Sequence, residues 1–443
     1  MRRRVALATL GCRLNQVDTE QIQAGLEARG FVTVPVDAAA DVVVVNTCTV
    51  TARAESSDRQ AIRRARRVNP AARIVVTGCW AQTSPDDVAR VGGVDLVVGN
   101  ADKHRLPELV EGLLAATAVF SPRLAVSDLA GARLTPPDVP VRASGRARAF
   151  VKVQDGCQYR CAFCIVPFAR GASRSLAPSA VLQQVRRLVE LGHPEVVLTG
   201  IDLGHYGADL TPRASLGGLV RAAGEIEGLR WLRLSSLLPA YFTSDLLEAL
   251  SSSAVVAPHF HVPLQSGSDR VLRAMRRPYT VALYRRVVER LAARFPRLGL
   301  GADVLVGFPG ETEADFRATV SLVEALPFTY LHVFPYSARS GTDAATRAGR
   351  VDPATLTRRA AVMRTVGAAK AAAFRRSLGG RVEEVLVLER RARDTGELVG
   401  LTGHFADVRF AGPDALMRRL ARVTITETAG AGLGGRLVAE QAA

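Results

Sequence analysis

The sequence predicts an α/β protein of three units: an N-terminal parallel sheet, a central partial (open) β/α barrel and a small C-terminal β-barrel. Three observations predict it. Short apolar strands alternate with helical patterns before residue 120, and again from Ala149 to Phe334. After Ala371 the pattern changes to short strands separated by Gly-containing turns. A length of 443 residues exceeds one ordinary core, and at about 150 residues per domain it accommodates roughly three.

Taken in order, Val5 to Leu10, Asp41 to Val45 and Ile74 to Thr77 read as strands, with helices near Asn15 to Arg29 and Ala52 to Val68 between them. That βαβαβ rhythm implies a parallel sheet over residues 1–120. Residues 121–145, with Pro122, Pro136-Pro137, Pro140 and Gly145, read as a linker. Over 146–370 six strands are expected: Phe150 to Gln154, Glu195 to Thr199, Trp231 to Ser235, His259 to Pro263, Gly301 to Gly307 and Tyr330 to Phe334. Six strands joined by crossovers imply an open barrel with function at the carboxyl ends of its strands. Strands near Val382 to Leu388, Ala406 to Phe410 and Ala421 to Thr426 complete the last unit, 371–443.

The composition, 48% hydrophobic and 23% charged, excludes a disordered or fibrous chain, and no apolar run reaches the ~18 residues that cross a membrane. Met1-Arg-Arg-Arg, the apolar stretch Val5 to Gly11 and then Cys12 imitate a lipoprotein signal. That stretch is short, and the polar segment Asn15 to Glu20 continues into a helix-like pattern, so a cytoplasmic address is expected. The net charge of +16 invites a polyanionic partner. Only Lys103, Lys152 and Lys370 are lysines, however, and an arginine bias of that kind also follows from codon usage. Charge alone supports RNA only weakly.

All six cysteines fall into two sets of three. Cys157, Cys161 and Cys164 have the spacing C-x3-C-x2-C in a loop directly after an expected strand. Structural zinc wants a fourth ligand, and none lies nearby. Three thiolates on a 4Fe-4S cube instead leave one iron open, able to hold S-adenosylmethionine (SAM) through its amino and carboxylate groups. Cys12, Cys48 and Cys79 are far apart in sequence, yet each follows the end of a different expected strand. In a parallel sheet those ends share one edge, where ligands bind. The thiols are therefore expected to converge on a second three-cysteine cluster, whose free iron can carry an exogenous sulfur ligand. Independently buried cysteines are the competing reading; a reducing compartment argues against disulfides.

With those motifs in view, the sequence resembles the methylthiotransferase family of radical SAM enzymes over essentially its whole length. The resemblance rests on Leu10-Gly-Cys-Arg-Leu-Asn-Gln-Val-Asp-Thr-Glu20, Asn46-Thr-Cys-Thr-Val50, Thr77-Gly-Cys79 and Asp155-Gly-Cys-Gln-Tyr-Arg-Cys-Ala-Phe-Cys-Ile-Val-Pro167. Arg170-Gly171 with Ser173-Arg174-Ser175, His261 to Asp269 and Gly307 to Thr312 add to it. It implies an auxiliary 4Fe-4S cluster in the first domain, a SAM-binding 4Fe-4S cluster in the barrel and a terminal TRAM domain that grips RNA. It also implies that one SAM supplies a methyl group to sulfur and that a second yields a 5'-deoxyadenosyl radical.

The resemblance carries cofactor-binding roles to Phe163 and Ile165 beside the cysteine loop, to Thr199-Gly200 at the end of the second barrel strand, and to Ser235, Gln265, Ser266 and Asp303 at later strand ends. The subfamilies act on threonylcarbamoyladenosine in tRNA, on isopentenyladenosine in tRNA, or on an aspartate of a small-subunit ribosomal protein. Gly11 to Glu20, Thr49-Val-Thr51 and Val333 to Thr342 most resemble the first, which modifies carbon 2 of the adenosine beside the anticodon; the ribosomal-protein group usually shows Pro-Lys in place of Arg13-Leu14. Leu238 departs from that subfamily, which usually has Glu there, and Gly400-Leu-Thr-Gly-His-Phe405 replaces a more typical Asn-Tyr ending.

Expected partners are a tRNA anticodon stem-loop, an electron donor such as flavodoxin or ferredoxin, and a sulfur source; a monomer without membrane association is expected. Thr402, His404, Phe405 and Arg409 are candidate RNA contacts by stacking and hydrogen bonding, with an exposed His404 beside a core Phe405 as the alternative. Arg59, Arg63 and Arg67, at four-residue spacing on one helix, are candidates for phosphate contact, with a solvated basic face as the alternative. His104, His193, His205, His259 and His332 read as structural, while His261 has the better claim to a role at a strand end. A non-catalytic iron-sulfur RNA-binding protein is the reading from another class.

Overall fold

The structure, a computed structural model, describes residues 2–116, 122–136, 145–427 and 432–438. Its first sheet runs parallel in the order β2-β1-β3-β4-β5-β6, with β1 Arg4–Thr9, β2 Val32–Val34, β3 Val42–Thr47, β4 Arg73–Gly78, β5 Leu96–Val98 and β6 Arg123–Ala125. The strands are near-continuous Val and Leu because both faces are covered: Val43, Val45, Ile74 and Val76 pack on one side, Val42, Val44, Val75 and Leu96 on the other. Helices α1 (Arg13–Ala28) and α2 (Ala52–Val68) are the expected crossovers; α3 (Cys79–Thr83), α4 (Pro85–Ala89) and α5 (Leu106–Ala115) follow. β6 corrects one expected boundary. Residues 123–125 of the expected linker form the sixth strand, pairing Leu96 with Arg123 and Val98 with Ala125. The backbone of Arg123 to Ala125 satisfies the open edge of β5, a long-range pairing that Pro-rich flanks conceal. Pro137 and Pro140 lie outside the described residues, as do 439–443 of the last unit.

The central unit opens with β7 Arg148–Lys152. A short antiparallel pair, β8 Gln154–Asp155 and β9 Arg174–Ser175, brackets the second cysteine loop and α6 (Val166–Arg170). Then come β10 Glu195–Thr199, β11 Trp231–Leu234, β12 His259–His261, β13 Gly299–Val306 and β14 Tyr330–Pro335. Two parallel three-stranded sheets, β11-β10-β7 and β12-β13-β14, meet at the parallel bridge between Leu232 and Val256 and at the bond from Leu237 N to His261 O (2.9 Å), giving a six-strand arc open between β7 and β14. Ala149, Val151, Val196, Leu198, Leu232, Leu234, Ala302 and Val304 pack into the core. Alternation therefore turns Arg148, Phe150, Lys152, Glu195, Arg233 and Asp303 toward the lumen.

The helix Pro353–Leu378 lies along β14 and leads to the terminal unit. Strands β15 Val382–Arg391, β16 Leu398–Thr402, β17 Asp407–Phe410, β18 Leu420–Glu427 and β19 Leu433–Leu437 close a barrel in the order β15-β16-β17-β19-β18. Val385, Val387, Leu398, Val408, Phe410, Val423 and Ile425 fill it.

Candidate metal centre and active site

The first three thiols sit where the sheet ends. Registers Thr9 to Asn46, Asn46 to Thr77 and Thr47 to Gly78 align the carboxyl ends of β1, β3 and β4, and Cys12, Cys48 and Cys79 lie just past them. Asn15 binds the loops together: its Nδ2 donates to Leu10 O (2.7 Å) and to Thr47 O (2.9 Å). Gly11, at φ +92°, leaves room a Cβ would fill, since that atom would stand 2.8 Å from Cys48 Sγ. Burial, then the neighbouring Cys79 and Cys12, push the Cys48 thiol up to about 12.

The second set lies on a loop held at both ends. Cys157 N donates to Gly171 O (3.0 Å) and Ala162 N to Met275 O (3.0 Å). Gln154 Nε2 donates to Gly156 O (2.7 Å) and to Ser173 Oγ (2.9 Å). Arg277 Nη1 donates to Cys161 Sγ at 3.2 Å. Burial raises Cys157 to about 12, with Asp202 and the other two thiols adding to it, and raises Cys164 to about 11.

All six cysteines are free. Burial makes Cys48, Cys157 and Cys164 poor thiolates on their own. A cationic metal centre is what stabilises three thiolates together, because a coordinated thiol is deprotonated outright. Both donor sets therefore fit an iron-sulfur cluster with one non-cysteine position.

The trios share a junction. Helix α6, just after Cys164, packs against α3, which begins at Cys79. Asn100 Nδ2 donates to Ala169 O (2.6 Å) and lies 3.8 Å from Cys79 Sγ. Arg170, 2% exposed, is the centrepiece. Its Nη1 donates to both oxygens of Asp155 (3.0 Å each), and its Nη2 donates to Asn15 Oδ1 (2.6 Å) and Asp18 Oδ2 (3.2 Å). Lys103 Nζ also donates to Asp18 (2.8 Å), and Lys152 holds its other oxygen. Burial raises the Asp18 carboxyl, but Lys103, Lys152 and Arg170 overcome it and hold the group well below its usual range. Burial opposes the Arg170 charge, yet Asp155, Cys79, Asp18 and Cys12 keep it strongly protonated. With Arg174 3.9 Å from Asp155, four cations surround the two carboxylates and leave the seam positive, which suits a group held by three thiolates.

The expected cofactor positions divide. Thr199 ends β10, and Gly200 N donates to Ser235 Oγ (3.3 Å), so these three line adjacent strand ends at the mouth. Phe163 packs beside Ala162 and Met275, and Ile165 caps α6. Gln265, at φ +65°, bridges to Val304. Ser266 is fully buried, and its Oγ accepts from Ser268 N (3.2 Å), which occupies it within the loop. Asp303 is not at a strand end. It lies in the middle of β13, in register with His332, 3.3 Å from both His332 Nδ1 and His261 Nε2, because β13 runs on to Val306.

The expected RNA contacts of the last unit are placed differently from the reading above. Thr402 is fully buried and orders its own turn, its Oγ1 accepting from Ala406 N (3.0 Å). His404 is buried 3.4 Å from Glu383. Phe405, at φ +70°, enters the base of the barrel and stacks on His259 at 4.3 Å between centroids, with Arg148 and Arg233 over it at 5.3 and 5.4 Å. These three close the barrel instead of offering a face to RNA. Their sequence looks like an exposed Gly-rich turn, whereas packing between two domains decides their burial. Arg409 pairs with Asp394 (2.7 Å) at the surface. On α2, Arg63 and Arg67 are exposed and Arg59 lies over the Trp80 ring at 4.4 Å.

Residues 4–99 match a family described as uncharacterized protein family UPF0004, and residues 151–323 match the radical SAM superfamily. Fold and site thus define a radical SAM enzyme with an additional N-terminal three-cysteine centre. The chain is 37% identical over 429 residues, 95% of its length and 93% of the relative's, to the threonylcarbamoyladenosine tRNA methylthiotransferase MtaB of Bacillus subtilis (strain 168). It is 37% identical over 405 residues to a tRNA-2-methylthio-N(6)-dimethylallyladenosine synthase of Parafrankia sp. (strain EAN1pec), covering 90% of this chain and 81% of that one. The fold is similar to that of the radical SAM methyltransferase TsrM from Kitasatospora setae, with a TM-score of 0.57 at 19% identity over 78% of this chain and 77% of that one. The chain belongs to the radical SAM methylthiotransferase family.

Proposed function

We propose that the protein inserts a methylthio group at carbon 2 of N6-threonylcarbamoyladenosine beside the anticodon of tRNA, using SAM and two 4Fe-4S clusters. One observation carries the reading: two trios of free cysteines meet at a single junction spanned by Arg170. Cys157, Cys161 and Cys164 would hold the SAM-binding cluster, and Cys12, Cys48 and Cys79 the auxiliary one. When bound, these groups supply methyl donation, one-electron reduction and hydrogen abstraction. The protein's own residues position them. Arg277 fixes Cys161, Asn100 borders Cys79, and the Arg170 network holds the two loops in register. Phe163, Ile165, Thr199, Gly200, Ser235 and Gln265 surround the mouth in which SAM would lie. Exposed Arg63 and Arg67 suit tRNA phosphates. A flavodoxin or ferredoxin would supply electrons.

Anaerobic reconstitution tests the chemistry: about eight irons per chain, four for each three-thiolate site, with 5'-deoxyadenosine formed from SAM, is the expected result. Fewer than about four irons, or no SAM cleavage, refutes it. Nucleoside mass spectrometry of tRNA from a deletion strain tests the substrate, which is refuted if methylthio-threonylcarbamoyladenosine persists. Isopentenyladenosine is the second reading, favoured by the equal identity to the Parafrankia relative; it predicts loss of methylthio-isopentenyladenosine instead, with unthiolated isopentenyladenosine left in its place.

A further inference from the structure

Arg13 is the first residue of α1, directly after Cys12, and is solvent-exposed. Its guanidinium reaches over Phe150, a lumen-facing residue of β7, at 5.5 Å from the ring centroid. It thus stands between the first thiol trio and the open barrel. Arg148 lies over the same ring at 5.4 Å, and Arg146 Nη1 donates to the same Gln16 Oε1 (3.2 Å) that Arg13 uses (2.9 Å). Arg148 pairs with Glu195 (2.7 Å) and Arg146 with Glu20 (3.4 Å). Among the described residues Arg13 has no carboxylate partner.

The placement is unfavourable within the protein alone. A cation in the first turn opposes the helix dipole. Phe150 and Gln16 hold the guanidinium but leave its charge without a carboxylate among the described residues, and such a fork suits a carboxylate or phosphate.

We propose that Arg13 recognises the carboxylate of the threonylcarbamoyl group and so sets specificity for that nucleoside over the prenylated one. The inference rests on the proposed function. Threonylcarbamoyl ends in a carboxylate; isopentenyl carries no charge and gains nothing from an arginine. A backbone phosphate of the same RNA is the other source of an anion.

The test compares reconstituted wild type, Arg13→Gln and Arg13→Lys at equal iron content. Each is titrated with fluorescent anticodon stem-loops bearing threonylcarbamoyladenosine, its methyl ester, isopentenyladenosine or plain adenosine. Wild type should bind the free acid about tenfold or more tighter than the others, as a charge-assisted contact implies. Arg13→Gln should erase that preference and Arg13→Lys retain most of it. Equal weakening of all four loops by Arg13→Gln assigns Arg13 to phosphate and overturns the proposal. An unchanged preference in Arg13→Gln overturns it as well. A wild type that prefers the isopentenyl loop refutes the proposed substrate itself.

Discussion

The barrel is engaged at both ends, and the two junctions are built from opposite chemistry. At the mouth, Arg170, Asp155, Asp18, Lys103 and Lys152 form a buried ionic lattice between the first sheet and the cysteine loop. At the base, Phe405 of the terminal barrel is inserted as a ring, flanked by His259, Arg148 and Arg233, with Arg233 Nη1 donating to Gly403 O (3.0 Å). Gly299 permits that approach, because a Cβ there would stand 2.1 Å from His404 O. Ionic lattices cost desolvation that only close geometry offsets, whereas an inserted ring stabilises through buried area and through stacking on its flanking groups. The end where the two cysteine trios lie is crossed by ion pairs; the end that the terminal barrel covers is crossed by a ring.

Removing Arg170 is the sharpest way to break this contrast. Arg170→Ala leaves the Asp155 carboxylate, 6% exposed, without its bidentate partner. Breaking a buried pair from one side costs about 3–5 kcal/mol. Denaturant melts should show that loss, and iron uptake should fall at both trios, since the network touches both loops. A variant with wild-type stability and full iron loading would show that the lattice is dispensable.

Phe405→Ala should cost somewhat less, about 3 kcal/mol, at the low end for such truncations because the ring is incompletely buried. Relief of the left-handed backbone offsets little of it, since alanine is no better there. The two junctions separate by readout. Phe405→Ala should expose the segment before β15 to protease while leaving iron content intact, and iron loss in this variant would mean that the base also controls the mouth.

These junctions also mark where the sequence stops being readable. The parallel sheet and the placing of Cys12, Cys48 and Cys79 just past aligned strand ends are legible because strand periodicity and Gly-Cys or Thr-Cys steps are local signals, and parallel topology does the rest. The C-x3-C-x2-C loop was more local still. Arg170 was visible only as part of a motif, one arginine among many, and nothing in its neighbours announces that it will be 2% exposed between Asp155 and Asp18. Strands β6 and β19 were missed for a similar reason: a three-residue edge strand and the Gly-rich Leu433-Gly-Gly-Arg-Leu437 are specified by the edges they complete, not by their own composition. Phe405 reads equally as an RNA-stacking ring or a core Phe, because interdomain burial has no periodicity that separates the two.

The last difference between the junctions is in proton sensitivity. At the base, burial drives the His259 pKa well below its ordinary 6.5, and the charges of Arg233, His261, Arg148 and His404 add to the effect. Its Nε2 meets the Tyr330 hydroxyl at 2.9 Å, so the neutral ring is the one that fits between Tyr330 and Phe405. Below about pH 6.5 the unfolded chain takes up a proton that the folded ring refuses. The contribution of His259 is therefore complete above that pH and is lost as pH falls, by at most about 1.4 kcal/mol per pH unit. Urea melts of wild type and His259→Phe at pH 8 and pH 5.5 isolate it. The variant forfeits the Tyr330 bond and should be less stable at pH 8, and the gap should narrow or reverse at pH 5.5. A gap that stays constant would place the acid sensitivity elsewhere, and one that widens would mean that the charged ring is the form held at the base.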